Sequence, residues 1–174
     1  DNAPMAVVLR HALATMEELD NCTYDMVILL DPTSPTRTAD SVLEAIDQLN
    51  SSTGLDGVIA VSEPNFNPIW VGVRPKSDNS TELERYFPEG TGVIRRQDVP
   101  RFLRINGSFY VWWADYVRRM ESSWFDEGTH GFIEISELRA FSIDDESEFR
   151  LVEAAVKTGL SPLPDYEPAT DLQN

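Results

Sequence analysis

Hydrophobic positions follow two different spacings in the first third of the chain. Between residues 3 and 20 they recur every three or four positions, which predicts an amphipathic helix, and residues 39–50 repeat that pattern. Residues 24–30 and 57–61 are instead short, continuous apolar runs, which are typical of strands buried on both faces. Helix, strand, helix and strand joined by short loops predict an α/β sheet with parallel members.

The rest of the chain is less regular. Residues 63–92 contain four prolines and a polar stretch, and we expect strands around residues 69–73. These residues are interpreted as part of a protruding hairpin or arm, which covers approximately residues 63–125. Beyond residue 92 the pattern predicts a strand at 107–113, a short helix at 114–121, a last strand at 139–143 and a closing helix at about 146–158.

Length and composition indicate one domain. A chain of 174 residues suffices for one core, so we expect a single domain over residues 1–160 and a frayed tail over residues 161–174. A single cysteine excludes an intrachain disulfide framework and a cysteine-based zinc site, which favours a reducing, cytoplasmic location. No apolar run approaches the roughly 18 residues of a membrane span.

Charge is unevenly distributed along the sequence. Thirty acidic and 14 basic residues give a net charge of −16, so we expect neither nucleic acid nor an anionic membrane as a partner. Six of the basic residues are arginines between residues 95 and 119, a stretch called here the arginine-rich segment. Two interpretations of it are open. It could bind a small anionic ligand, since guanidinium groups pair with carboxylates and phosphates, or its arginines could form surface ion pairs.

Two loops follow predicted strands at the positions where open parallel sheets bind their ligands. Residues 31–37 follow the first strand, and residues 142–145 follow the predicted last strand. Each loop supplies a carboxylate, Asp31 or Asp144, of the kind that binds Mg²⁺ together with phosphates and water. A structural role is the alternative for both residues: Asp31 can begin a turn before a proline, and Asp144 can cap the closing helix.

Other chemical motifs are weak in this sequence. The two histidines lie far apart, no spacing supports a catalytic nucleophile, and neither GxGxxG nor GxxxxGK[ST] occurs. Four aromatic residues could form a platform for a sugar or a base, or they could pack in the core or in a dimer interface. They are Trp112, Trp113, Trp124 and Phe125.

Five sequence segments occur in a distinctive order. They are YDMVILLDPTSPTR at 24–37, DGVIAVSEPNFNP at 56–68, RRQDVP at 95–100, RINGSFYV at 104–111 and SIDDESEFRLVEAA at 142–155. Together they resemble the acylneuraminate cytidylyltransferases, the CMP-sialic acid synthetase group. The resemblance implies a Rossmann-like nucleotidyltransferase sheet with flanking helices and a protruding dimerisation arm. It also implies transfer of CMP from CTP to a sialic-acid-like nine-carbon keto sugar acid, with Mg²⁺ and release of pyrophosphate.

The same resemblance implies roles for individual residues. Arg96 matches the family's sugar-contacting arginine and would pair with the sugar carboxylate. Asp144 matches the metal aspartate and would hold Mg²⁺ on the CTP phosphates, so these two are the expected catalytic residues. The expected substrate-binding residues are Asp31, Ser34, Arg37, Gln97, Asn106 and Tyr110. A homodimer is expected as well.

Three departures from the family pattern modify these expectations. The family usually has Gln at the position of Asp31, and many members have Asp at the position of Ser142. The family's amino-terminal strand and its basic, glycine-rich CTP loop have no counterpart in this sequence. We therefore expect this chain to be catalytically inactive by itself. A non-catalytic sugar-binding, nucleotide-binding or dimerisation module of the same fold is the alternative, and a transferase for another sugar acid is a third interpretation.

Overall fold

A four-stranded mixed sheet forms the centre of the protein. The computed structural model describes residues 4–161 and residue 163. In the described residues the strands are β1 (Met26–Leu30), β2 (Gly57–Ser62), β3 (Val73–Pro75), β4 (Leu83–Arg85), β5 (Arg104–Trp113) and β6 (His130–Glu134). The α-helices are α1 (Met5–Asp20), α2 (Ala39–Ser51), α3 (Pro68–Val71), α4 (Ala114–Arg119) and α5 (Glu146–Lys157).

The central sheet has the strand order β1-β5-β2-β6. β5 is antiparallel to both of its neighbours, and β2 is parallel to β6. It follows that β1, β2 and β6 run in one direction and end at the same edge of the sheet, where β5 begins. The expectation of an α/β sheet with parallel members is confirmed in this coarser form, as a mixed α/β fold.

Two hydrophobic layers cover the two faces of this sheet. On one face α2 contributes Ala45 and Leu49, which pack against Phe109 and Val111 of β5. On the other face α1 and α4 pack around the fully buried Trp112. Every residue of β2 is buried, as the continuous apolar run predicts. The same prediction is wrong for β1, which is the edge strand of the described sheet and leaves Ile28 and Leu30 more than 40% exposed.

Local sequence signals account for the helix ends. Thr38 caps α2, since its Oγ1 accepts a hydrogen bond from the backbone N–H of Ser41 at 3.4 Å. α5 begins with a capping box, in which Asp145 accepts from the Glu148 N–H while the Glu148 side chain accepts from the Asp145 N–H. α1 ends at Asn21, whose φ of 48° is left-handed.

Two strand predictions are wrong. Residues 69–73 are mostly the short helix α3, which begins at Pro68 with Asn67 as its cap, and only residue 73 joins a strand. Residues 139–143 are not a strand, because their backbone groups bond to a loop and to a side chain of β5. The strand in that part of the chain is β6, which the apolar pattern did not reveal.

The predicted arm contains the small antiparallel hairpin of β3 and β4, in which Val73 pairs with Arg85. Within residues 63–125, β5 belongs to the central sheet. Apart from residues 161 and 163, the predicted tail lies outside the described residues. None of the helices described here combines the length and apolarity needed to cross a bilayer.

Candidate functional site

The loop after β1 is built around the side chain of Asp31. Asp31 Oδ1 accepts hydrogen bonds from the backbone N–H and the hydroxyl of Thr33, at 3.1 and 2.8 Å. The carbonyl of Asp31 accepts from the N–H of Ser34 at 3.1 Å. The turn-forming interpretation of Asp31 is therefore confirmed for one of its carboxylate oxygens.

This loop contacts the second predicted loop directly. The N–H of Ile143 donates to the Thr33 carbonyl at 2.9 Å. The hydroxyl oxygens of Thr33 and Ser142 lie 3.4 Å apart, and Ser142 Oγ lies 3.5 Å from Asp144 Oδ2. The structure thus brings Asp31 and Asp144 to opposite ends of one row of polar side chains, although the segment before Asp144 is not the predicted strand.

Neighbouring aspartates at the start of α5 have different roles. Asp145 is the helix cap, and hydrogen bonds from the Ser147 hydroxyl and the Glu148 N–H hold its pKa below the usual range. Asp144 is not the cap, so the alternative role considered for it is wrong. Its exposed carboxylate contacts Ser142 Oγ and has no other hydrogen-bond partner among the residues described here.

Asp144 therefore presents a carboxylate to solvent beside a hydroxyl group. The described part of the chain contains no group of three or more His, Cys, Asp or Glu side chains placed to hold a metal ion. Mg²⁺ typically takes one or two protein carboxylates and fills its remaining positions with water and substrate phosphates. The described donors around Asp144 do not form a metal cage made of protein alone. One carboxylate beside a hydroxyl is compatible with an ion that is shared with a phosphate ligand, and this role of Asp144 stays a prediction.

A bulge in β5 brings further candidate residues to Asp31. Ile59 pairs with Tyr110 and Val61 with Ile105, so one residue of β2 faces four residues of β5. The bulge includes Gly107, whose φ is 76°, and a Cβ at Gly107 would lie 3.8 Å from Asp31 Oδ2. A side chain is therefore absent where β5 approaches the carboxylate.

Asn106 and Tyr110 belong to the same strand as Gly107. Asn106 is only 4% exposed, its Oδ1 accepts from the Ser108 N–H at 3.0 Å, and its Nδ2 has no partner in the described structure. Tyr110 stacks on Trp112 with 5.3 Å between the ring centroids. Burial, together with the charge of Asp31, raises the pKa of Tyr110, which keeps its hydroxyl protonated.

Arg37 and Ser34 are integrated into the loop itself. Arg37 Nη1 donates to the carbonyls of Asp31 and Ser108, both at 2.7 Å, and so ties the loop to β5. Burial lowers the pKa of Arg37, and the charge of Asp31 partly offsets that effect. Ser34 is 1% exposed, and its hydroxyl has no partner in the residues described. Substrate binding by either residue stays a prediction.

Five of the six arginines in the arginine-rich segment form ion pairs with carboxylates. The pairs are Arg95–Asp98, Arg101–Glu63 and Arg101–Glu134, Arg104–Glu137, Arg118–Glu17 and Arg118–Asp115, and Arg119–Asp56. Arg96 differs, since its described hydrogen bond runs from Nη2 to the carbonyl of Asn65 at 3.0 Å. No carboxylate within the described ranges pairs with it. The ion-pair interpretation is therefore confirmed for five arginines. For Arg96, binding of an anionic ligand stays a prediction.

Arg96 and Gln97 line one shallow cavity of about 390 Å³ together with Phe66 and Phe102. Asn65, the hydrogen-bond acceptor of Arg96, lines a second cavity of about 310 Å³ that also includes Ser142. Asn65 thus connects the surroundings of Arg96 with the loop that carries Asp144.

The predicted aromatic platform is largely part of the interior. Trp112 is fully buried, and Trp124 packs against both Trp112 and Tyr110, with ring centroids 5.8 and 5.0 Å apart. Phe125 is 57% exposed at the margin of this cluster. Core packing therefore explains Trp112 and Trp124.

Sequence reasoning missed Glu137, whose carboxylate bonds to Arg104 and Ser62 at the same edge of the sheet. Its partners are 33 and 75 residues away in the chain, so no local pattern could reveal it.

The fold is that of a mixed α/β protein, and its candidate site is a row of polar side chains at the edge where three co-directional strands end. A comparison with protein-family models found no match. The chain is 31% identical over 164 residues to post-translational flagellin modification protein B of Campylobacter coli. The alignment covers 90% of this chain and 63% of that relative, so the chain spans less than two thirds of the relative's length.

Proposed function

We propose that this chain supplies the sugar-acid and metal sites of a cytidylyltransferase that transfers CMP from CTP to a sialic-acid-like nine-carbon keto sugar acid. The observation that carries this proposal is the contact between the two loops. Asp31 and Asp144 belong to distant parts of the sequence, yet Thr33 and Ser142 join them at the edge where β1, β2 and β6 end. A Rossmann-like arrangement of the complete sheet is part of the proposal.

Arg96 supports the choice of an acidic sugar as the substrate. An exposed guanidinium without a carboxylate partner in the described residues can pair with a carboxylate from a ligand. In our proposal Arg96 binds the sugar carboxylate, with Gln97 beside it in the same cavity. Asn106 and Tyr110 contribute neutral hydrogen-bond donors on the Asp31 side.

The relative gives independent support for a role in modifying other molecules. Its name assigns flagellin modification to that protein. A transferase that activates a sugar acid would fit a modification in which a sugar is attached to a protein, because the sugar must be activated before it is attached.

The proposed reaction is one in-line displacement. The sugar hydroxyl oxygen forms a bond to the α-phosphorus of CTP and releases its proton to solvent, the bond from that phosphorus to the bridging oxygen of the β-phosphate breaks, and pyrophosphate leaves. Mg²⁺, when bound, neutralises charge on the phosphates. Asp144 would hold the ion, and Arg96 would fix the sugar carboxylate so that its hydroxyl faces the phosphate, which makes positioning the main contribution of this chain.

We expect the chain to lack activity by itself, because its sequence contains no glycine-rich phosphate loop. The test compares it with a longer form made by extending this chain with a nucleotide-binding portion. Both are incubated with CTP, Mg²⁺ and N-acetylneuraminate or another nine-carbon keto sugar acid, and mass spectrometry detects the CMP-sugar. Product should form with the longer form and not with this chain. Absence of product from the longer form across a panel of keto sugar acids contradicts the proposal.

A non-catalytic binding or dimerisation module is the second candidate. Apolar side chains are exposed on the arm, among them Val73 at 52%, Leu83 at 61% and Ile94 at 88%. A homodimer in which each arm contacts the other subunit would cover them. Sedimentation measures whether the chain forms a dimer. Calorimetry of the longer form with CTP separates the two candidate functions, because Mg²⁺-dependent CTP binding favours the transferase.

A further inference from the structure

A half-buried ion pair joins three strand ends at the edge of the sheet that carries the candidate site. Arg104 begins β5 opposite Ser62, the last residue of β2, and Glu137 follows β6. Arg104 Nε and Nη2 donate to the two carboxylate oxygens of Glu137 at 2.7 and 2.9 Å. Ser62 Oγ, which is fully buried, donates to Glu137 Oε1 at 2.7 Å. A two-pronged pair of this kind fixes the orientation of the guanidinium plane.

The same guanidinium reaches the segment that leads to Asp144. Arg104 Nη2 also donates to the carbonyl of Ala140 at 3.1 Å. Two hydrogen bonds join backbone groups of this segment to the loop after β1: Thr36 Oγ1 donates to the Arg139 carbonyl at 2.9 Å, and the Ile143 N–H donates to the Thr33 carbonyl at 2.9 Å. Of these three anchors, the one at Ala140 depends on a charged side chain.

We propose that Glu137 is a positioning residue, which fixes the place of Asp144 by holding Arg104 against the Ala140 carbonyl. In this way Glu137 sets the affinity of Asp144 for a divalent cation without touching the ion. The statement about the cation rests on the proposed function, whereas the statement about position stands independently of it.

The chemistry of the pair supports this role. Hydrogen bonds from Arg104, and to a lesser extent from Ser62, hold the pKa of Glu137 below its ordinary value of 4.5, so the carboxylate is charged at neutral pH. Without that charge the Arg104 side chain, 37% exposed, loses its fixed partner and can turn toward water. The Ala140 carbonyl then loses its donor, and the backbone of the segment before Asp144 keeps two of its three hydrogen bonds to β5 and to the loop after β1.

The test uses the full chain and compares Glu137→Gln with the matched control Glu134→Gln. Glu134 lies three residues earlier and also pairs with an arginine, Arg101, but its exposed pair has no bond to the segment before Asp144. Amide hydrogen exchange, measured by NMR, should be about tenfold faster at Ile143 in Glu137→Gln and within twofold of wild type in the control. Exchange at Val58, in the buried β2, should stay unchanged in both variants.

The second readout is the concentration of Mn²⁺ that broadens the Asp144 amide signal. We expect it to rise at least threefold in Glu137→Gln and to stay within twofold in the control. The inference is overturned if both variants behave alike. It is also overturned if amide exchange accelerates by the same factor at Val58 and at Ile143, since equal acceleration indicates general destabilisation.

Two further outcomes are informative. If Glu137→Gln does not fold, Ser62→Ala removes one hydrogen bond to the carboxylate and should shift both readouts in the same direction by about twofold; no shift overturns the inference. If Ile143 exchange responds but Mn²⁺ leaves Asp144 of the wild-type chain unaffected, the positioning role is supported and the metal assignment of the proposed function fails.

Discussion

The backbone N–H of Ile143 donates a hydrogen bond to the carbonyl of Thr33 at 2.9 Å, which fixes two loops that are more than 100 residues apart in sequence. Near this bond the side chains of Asp31 and Asp144 end a row of hydroxyl contacts. The site therefore depends on tertiary contacts rather than on one contiguous motif.

Mutations of Asp144 and Asp145 should affect different properties of the protein: cation binding for Asp144 and stability for Asp145. Asp145→Ala removes the cap of α5 and should lower the free energy of unfolding by about 1 kcal/mol, as loss of an N-cap typically does. Asp144→Ala should leave stability nearly unchanged but abolish the broadening of neighbouring amides by Mn²⁺. Denaturant unfolding and NMR titration of both variants measure the two effects. The metal assignment is wrong if Asp144→Ala retains the Mn²⁺ response.

A second carboxylate beside Asp144 should strengthen cation binding. In Ser142→Asp the new carboxylate occupies a position whose hydroxyl now lies 3.5 Å from Asp144 Oδ2, so the two could share one ion. We expect the Mn²⁺ affinity at Asp144 to rise several-fold. Ser136→Asp, which adds the same charge at an exposed position, is the control. Equal gains in both variants would indicate that added charge alone explains the effect.

Stability should depend on Leu49 far more than on Leu43, although both belong to α2. Leu49 is fully buried against the central sheet, whereas Leu43 is 57% exposed. Leu49→Ala should therefore cost about 2–5 kcal/mol of unfolding free energy, since it leaves a cavity in a close-packed layer. Leu43→Ala should cost well under about 1 kcal/mol. Comparable losses in urea unfolding would contradict the observed packing.

Stability should fall as the pH drops below about 6.5, because of His130. Burial, partly offset by the charge of Asp56, lowers the pKa of His130 from its ordinary value of 6.5. Between 6.5 and the lowered pKa, the unfolded chain binds a proton at this residue that the folded protein does not bind. The contribution of neutral His130 to the free energy of unfolding is thus fully present above about pH 6.5. It is lost as the pH falls toward the pKa of His130 in the folded protein.

The pH effect is measured by urea unfolding in steps between pH 5 and pH 7.5. His130→Phe should reduce the slope of the unfolding free energy against pH in that interval. His11→Gln, on the exposed side of α1, should leave this slope as in wild type. An unchanged slope in His130→Phe would assign the effect to other groups.

Elements with strong local patterns could be predicted from the sequence. The two-spacing pattern located α1, α2, β1 and β2 within a few residues, because helical amphipathicity and a buried apolar run are local properties. The strand prediction for residues 139–143 was wrong for a physical reason. A short apolar run is compatible with a strand, and it is equally compatible with a loop whose carbonyls accept hydrogen bonds from Thr36 and Arg104.

The candidate site was predictable in part. The two loops were identified by their position after predicted strands, and the structure joins them. The partners of the arginines could not be foreseen, since Arg104 and Glu137 are 33 residues apart and become neighbours only when β5 and β6 enter one sheet. That Arg96 has no carboxylate partner in the described residues is likewise a property of the fold alone.

Binding of a sugar acid at Arg96 tests the central claim most directly. NMR titration of the full chain with N-acetylneuraminate or another nine-carbon keto sugar acid should shift signals of Gln97 and Asn106. Arg96→Ala should weaken binding at least tenfold, while Arg95→Ala, which removes only the exposed pair with Asp98, should stay within twofold. Absence of binding by every sugar acid tested, or equal weakening in the two variants, would contradict the account.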